Sequence, residues 1–161
     1  ADMAATLHLV ERAGGTIDYE DEETIVVRGG QKLHLGRIQT MIYPGFPTDL
    51  QAPFGVLATQ SEGTTLIHDP LFEGRLNYLK GLEAMGAKVN ILDPHRAEVD
   101  GPTALKGAEL SGEDIRGAMS LIIAGMAAEG TTVLHNAYQA DRGYEHIDER
   151  LGALGARIER F

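Results

Sequence analysis

The sequence predicts an α/β (α+β) fold built from repeated strand–helix–strand–helix–strand–strand units, incomplete at both ends, and three observations lead to it. The four residues Glu62-Gly63-Thr64-Thr65 recur as Glu129-Gly130-Thr131-Thr132, 67 positions on, and such self-similarity is the signature of a repeated supersecondary unit. Each copy sits between two segments whose apolar residues recur at helical spacing. Each second segment stops at a glycine followed by a short β-like run, the chemistry of a helix end before a strand.

The elements follow in order. Leu7, Leu9 and Val10 mark a helix running into Gly14-Gly15-Thr16-Ile17, and Thr24 to Val27 reads as a strand. Phe54 to Thr59 is an apolar helix, Leu66-Ile67 the strand after the first Glu-Gly-Thr-Thr, and Leu76, Leu79, Leu82 and Met85 share one face of a second helix. Gly86-Ala87-Lys88-Val89 ends that helix, and Ala97 to Val99 is a further strand. The pattern then restarts with a helix over Met119 to Ala128, a strand at Val133-Leu134, a helix marked by Ile147, Leu151 and Leu154, and Gly155-Ala156-Arg157-Ile158. Residues 1–161 are accordingly one partial domain. Residues 1–42 read as the αββ end of one unit, 43–110 as a complete βαβαββ unit and 111–161 as the start of another. A unit cut in this way leaves an open sheet edge or apolar face that a missing segment or another chain should cover.

Composition narrows the function. With 161 residues, 43% of them hydrophobic and 24% charged, the chain suits an ordinary globular core. A formal charge of −10 argues against nucleic acid as a partner, since phosphate backbones are held by clustered Lys and Arg. It does not forbid a small anion, for which a few convergent arginines suffice. The longest apolar stretch, Ala118 to Ala128, falls short of the roughly 20 residues of a membrane span, so no membrane partner is expected. No basic residue precedes an apolar run at the start, and there is no cysteine. Neither a leader, a disulfide nor a thiolate metal site is therefore expected, and the cytoplasm is the expected compartment.

The candidate chemistry lies at helix starts and in the loops between units. Tyr43-Pro44-Gly45-Phe46-Pro47-Thr48-Asp49-Leu50-Gln51 is a rigid turn in which Thr48 or Asp49 caps the following helix or Asp49 meets a ligand. The corresponding place in the next unit reads Glu113-Asp114-Ile115-Arg116, again an acid opening a helix. Helix starts offer free N–H groups and a positive dipole end to an anion. Arg75, in Phe72-Glu73-Gly74-Arg75, and Arg142, in Asp141-Arg142-Gly143-Tyr144-Glu145, fall at matching points of the repeat. They either pair with Glu73 and Asp141 on the surface or converge on one anion. His8, His34, His68, His95, His135 and His146 are scattered without metal-ligand spacing, and no metal is expected.

FPTDLQA, FEGR, EDIRGAMSLIIAGMAAEGTT and DRGYEHIDERLGALGARIER resemble, in that order, motifs of the carboxy-terminal part of UDP-N-acetylglucosamine 1-carboxyvinyltransferases, the amino-sugar branch of the enolpyruvyl transferases. The resemblance implies six βαβαββ units in two domains of the inside-out α/β barrel type, with the site in the cleft between them. It implies transfer of the enolpyruvyl group of phosphoenolpyruvate to the 3-hydroxyl of UDP-N-acetylglucosamine. That step opens peptidoglycan synthesis and so serves cell-wall biogenesis, cell shape, the cell cycle and cell division. By the same resemblance Asp49 lies beside the sugar hydroxyl and takes part in proton transfer, while Arg116 and Arg142 bind the carboxylate or phosphate of phosphoenolpyruvate and close the cleft. Arg75 and Asp114 join the substrate-binding set, and Leu71 and Phe72 contact the nucleotide-sugar or simply pack in the core. No cofactor is implied.

Two motifs depart from the family. Gly74 stands in place of asparagine and Gly117 where alanine is common, and both glycines are expected to loosen the backbone beside an arginine. The family's amino-terminal lysine–asparagine pair, and the loop carrying its general acid, have no counterpart in these residues. The chain alone is therefore expected to be inactive and to work with the missing amino-terminal part or another chain. The alternative is a non-catalytic module binding a nucleotide-sugar or a protein.

Overall fold

Three helices end in the same way, and the recurrence organises the chain. In the computed structural model, which describes residues 3–30 and 32–161, α1 (Ala4–Arg12), α3 (Tyr78–Ala84) and α6 (Ile147–Ala153) each run into a left-handed glycine. Gly14, Gly86 and Gly155 have φ of 98°, 96° and 97°. Beyond each, the next amide reaches back to the helix at 2.9, 2.9 and 3.0 Å (Gly15 to Val10, Ala87 to Leu82, Ala156 to Leu151), the six-to-one bond of a Schellman end. A side chain is strained at such φ values, so one local rule writes the same stop signal three times.

The middle unit is β3 (Arg37–Gln39), a 3₁₀ turn (Thr48–Leu50) leading into α2 (Gln51–Gln60), β4 (Gly63–His68), α3, β5 (Lys88–Asp93) and β6 (Arg96–Gly101). Its four strands form one sheet in the order β3-β4-β6-β5. β3 runs parallel to β4, whereas β6 is antiparallel to both β4 and β5. Alternate residues along the strands face inward, and Ile38, Ile67, Ala97 and Val99 are fully buried together with Leu79, Leu82 and Met85 of the α3 face. α2 is buried nearly all round because it lies against the sheet, α3 and α4 (Ile115–Ala127). Gly55 permits the contact with α3, for a Cβ there would lie 1.9 Å from the Tyr78 hydroxyl.

The flanking pieces repeat parts of this unit. α1 is followed by β1 (Thr16–Tyr19) and β2 (Ile25–Arg28), an antiparallel pair. β7 (Glu109–Ser111), α4 and β8 (Val133–His135) repeat β3, α2 and β4, with β7 parallel to β8. α5 (Tyr138–Asp141) and α6 follow. Equivalent bonds join successive units: His34 N donates to Ala13 O and Lys106 N to Met85 O, while Glu62 N donates to Leu33 O and Glu129 N to Leu105 O. The strand pattern of the middle unit covers 37–101, so residue 43 falls in the loop after β3 and residue 110 inside β7. The strand expected at Ile158 is not formed; residues 156–161 have no regular structure. In the middle unit the equivalent β5 is held by β6.

Candidate active site

Asp114 opens α4. Its side chain caps the helix, accepting from Arg116 N at 2.9 Å and Gly117 N at 3.1 Å, which fixes the first turn and the start of the Arg116 side chain. That carboxylate, expected from the sequence to meet substrate, is thus engaged by its own helix. Arg116 reaches across to the turn before α2, where its Nε donates to Asp49 Oδ1 in an ion pair. Neither Thr48 nor Asp49 caps α2 through its side chain, so the capping expected of them is not observed. The Asp49 side chain is 64% exposed and that of Arg116 30%, leaving the pair open to a ligand.

The Asp49 turn is an addition to the repeat. Thr40 and Gly112 occupy equivalent places, since their amides donate to His68 O and His135 O. From Thr40 to Glu62 the chain advances 22 positions, and from Gly112 to Glu129 it advances 17. The extra residues build the Tyr43–Asp49 segment.

A buried carboxylate that the sequence reading did not single out ties this turn to its neighbour. Asp69 is fully buried, and its Oδ2 accepts from the Thr48 hydroxyl while Oδ1 accepts from Leu71 N (3.1 Å) and Phe72 N (3.3 Å). Asp69-Pro70 before FEGR is the only local signal of this turn. Leu71 and Phe72 are 38% and 47% exposed, so they point outward and are not core residues. The Arg75 guanidinium lies 4.8 Å from the Phe72 ring centroid, a cation–π contact, and Glu73 faces His95 at 3.9 Å. The Arg75–Glu73 pair, one of the two alternatives for this arginine, is absent among the described residues. Below, burial pushes the Tyr78 phenol far above its ordinary range; the Gln51 amide offsets part of this and the Asp69 carboxylate adds to it. Tyr78 therefore stays neutral.

Each departing glycine has a local place in the fold. Gly74 sits at φ 74°, a left-handed position for which asparagine is the next most tolerant residue. Gly117 is held in the first turn of α4, and a Cβ there would come within 3.0 Å of Asp114 Oδ2. Gly74→Ala is expected to cost about 1–2 kcal/mol in urea unfolding, and Gly74→Asn distinctly less; equal costs would contradict the backbone argument.

Arg142 follows α5 and is exposed, with Nη1 donating to Gln139 Oε1 at 3.0 Å. It does not pair with Asp141, which is taken bidentately by Arg160 at 2.7 and 2.9 Å; Arg160 also binds Asp148 at 3.0 Å. Gly143 packs on Ile115, a Cβ there lying 2.9 Å from Ile115 Cγ2. The Arg142 loop therefore rests on the first turn of α4 at Ile115, while the Arg142 side chain itself turns to Gln139. The Arg160 guanidinium holds the Asp141 and Asp148 carboxyls below the usual carboxylate range. Lowered folded-state values mean stability present above about pH 4, the unfolded-state value, and lost as pH falls through the folded one. Wild type should melt higher than Arg160→Ala at pH 7, with the gap closing below about pH 4; a gap independent of pH would refute this. Among the described residues no three His, Asp or Glu side chains are grouped to hold a metal ion, and no helix is long and apolar enough to cross a membrane.

Comparison with known proteins gives the family. The profile of the family described as EPSP synthase (3-phosphoshikimate 1-carboxyvinyltransferase) matches residues 1–151. UDP-N-acetylglucosamine 1-carboxyvinyltransferase of Treponema denticola is 41% identical over 146 residues, which are 91% of this chain and 34% of that protein. The protein of the same name from Desulforapulum autotrophicum is 40% identical over 159 residues, 99% of this chain and 38% of its own length. The crystal structure of the enolpyruvyl transferase NikO from Streptomyces tendae superposes with a TM-score of 0.89 at 29% identity, over 98% of this chain and 36% of that one. EPSP synthase from Acinetobacter baumannii shares the fold, with a TM-score of 0.78 at 19% identity over 98% of this chain and 40% of its own. The chain thus spans a little over a third of the length of these relatives. By the matched profile, the long sequence identity and the shared repeat, the chain belongs to the EPSP synthase family of enolpyruvyl transferases.

Proposed function

We propose that this chain is the part of an enolpyruvyl transferase that supplies one wall of a cleft for phosphoenolpyruvate and UDP-N-acetylglucosamine, and that it acts in peptidoglycan synthesis in the cytoplasm, and so in cell shape and division. The observation that carries the reading is the Asp49–Arg116 pair at the start of α4, with the Arg142 loop resting on the same turn. The names of the relatives in the amino-sugar branch support the choice of acceptor. With it goes the division into an αββ end, one complete unit and the start of another, the strand pattern drawing the complete unit back to β3.

The chemistry assigns each group a task. Asp49 accepts the proton of the sugar 3-hydroxyl as its oxygen bonds to C2 of phosphoenolpyruvate, and an acid outside this chain protonates the methylene carbon. Loss of a proton from that carbon and departure of phosphate from C2 then restore the enol ether. Arg116 and Arg142 carry the planar forks that suit the carboxylate and the leaving phosphate. Their benefit depends on a closed, water-poor cleft that positions both reactants. Leu71 and Phe72 offer an exposed apolar surface to the nucleotide-sugar, with Arg75 and the Asp114-capped helix start beside the anionic groups.

The test is phosphate release from the two substrates by the purified chain, alone and mixed with the amino-terminal part of a relative such as the Treponema denticola enzyme. Release only from the mixture is expected, and robust turnover by the chain alone would overturn the one-wall reading. Saturable binding of UDP-N-acetylglucosamine with no release from the mixture would favour a non-catalytic binding module.

A further inference from the structure

The junctions between successive units are built alike, and each holds a cavity. One of about 230 Å³ lies between α3 and β7, and one of about 360 Å³ lies between α1 and β3. The repeat superposes their walls: His8, Arg12, Arg37 and Gln39 of the larger cavity stand 72 positions before Lys80, Ala84, Glu109 and Ser111 of the smaller. The charge is reversed. The smaller cavity adds Glu113 and Asp114 to Glu109, whereas no acid lines the larger one among the described residues.

The cationic wall is ordered. Arg12 Nη2 donates to Arg37 O at 2.9 Å, and Arg37 donates to the Gln39 side chain. Neither arginine forms an ion pair among the described residues, although the chain carries a net charge of −10. Arg12, Arg37 and His8 are exposed, while Leu9 and Phe46, at 5% and 7% exposure, form an apolar floor. Phe46 is fixed edge-on to Phe54 with ring centroids 5.0 Å apart, so the floor is rigid.

We propose that the α1–β3 junction cavity binds a small amphipathic anion, a phosphate or carboxylate carried on a short aromatic or apolar body. The anionic group meets the Arg12 and Arg37 guanidinium groups, and the body lies on Leu9 and Phe46. Charge-assisted guanidinium–oxyanion contacts supply the affinity and the preformed floor lowers the cost of ordering the ligand. This site is separate from the Asp49–Arg116 pair, neither of whose residues lines it, so it stands or falls independently of the proposed transferase role.

Phenyl phosphate titrated into the isotope-labelled chain provides the test, read from amide chemical shifts. The expected result is saturable shifts at Leu9, Arg37 and Gln39, with inorganic phosphate and phenol each binding roughly tenfold more weakly than the combined probe. Arg37→Gln and Arg12→Gln should each weaken binding by about tenfold, and Arg37→Glu, which imports the charge found at the equivalent position of the next junction, should abolish it. Arg116→Gln should leave it unchanged. Should Arg12→Gln disturb the fold through its lost bond to Arg37 O, the exposed Arg37 variants decide alone. Absence of saturable shifts, shifts centred on Arg116 and Arg142, or indifference to both Arg37 variants would overturn the proposal.

Discussion

Asp49→Asn, assayed as phosphate release in the mixture with the amino-terminal part, is expected to lower kcat by roughly two to four orders of magnitude. The amide keeps the size of the carboxylate and an oxygen that can still accept from Arg116 Nε, so the turn should keep its place. What it loses is the ability to take a proton from the attacking hydroxyl. Arg116, freed of its charged partner, is then more available to an anionic substrate, and KM for phosphoenolpyruvate should stay level or fall. Stability should barely move, by about 0.5 kcal/mol or less, because the Asp49 side chain is 64% exposed and exposed ion pairs contribute little. This separation of a large kinetic effect from a small thermodynamic one distinguishes a reacting group from a structural one. Turnover within about threefold of wild type would remove Asp49 from the reaction.

Much of the fold was legible because it is encoded locally and then repeated. A left-handed helix end needs glycine wherever it occurs, so Gly14, Gly86 and Gly155 announce three equivalent stops before any contact is known. The apolar spacing of Leu79, Leu82 and Met85 gives the buried face of α3 for the same reason. β3 and β7 were not locatable: each has three residues with a single buried side chain, Ile38 or Leu110, too few to show a period of two. At the site, Asp114 was readable as a helix-opening acid because capping acts over two or three residues. The partners of the other charges were not, because they depend on packing across long separations. Asp49 to Arg116 spans 67 residues, Thr48 to Asp69 spans 21, and Asp141 to Arg160 spans 19. The Arg142–Asp141 and Arg75–Glu73 pairs, one of the two alternatives open for these arginines, do not form because both acids meet partners distant in sequence: Asp141 is taken by Arg160 and Glu73 faces His95.

Asp69→Ala is expected to cost about 2–4 kcal/mol in urea unfolding, because it strips acceptors from Leu71 N, Phe72 N and the Thr48 hydroxyl in a region that water does not reach freely. Asp69→Asn should cost only about 1 kcal/mol, since its oxygen still serves the two amides and the Thr48 hydroxyl can accept from the new NH₂ group. Thr48→Val removes the other end of the link and leaves a buried carboxylate oxygen without its donor, at about 2 kcal/mol, whereas Thr48→Ser retains the bond. If the two residues act as one tie, Thr48→Val adds little once Asp69 is alanine, and the double-mutant cycle shows a coupling of about 1 kcal/mol or more. Additive costs would mean that the two side chains merely touch. The local consequence is also measurable, because one carboxylate joins the turn carrying Asp49 to the loop carrying Phe72 and Arg75. Hydrogen exchange in Asp69→Ala should quicken in residues 43–50 and 70–75 together. Faster exchange in 70–75 alone would show that the Asp49 turn is held by its own packing, and that Asp69 serves only the loop that follows it.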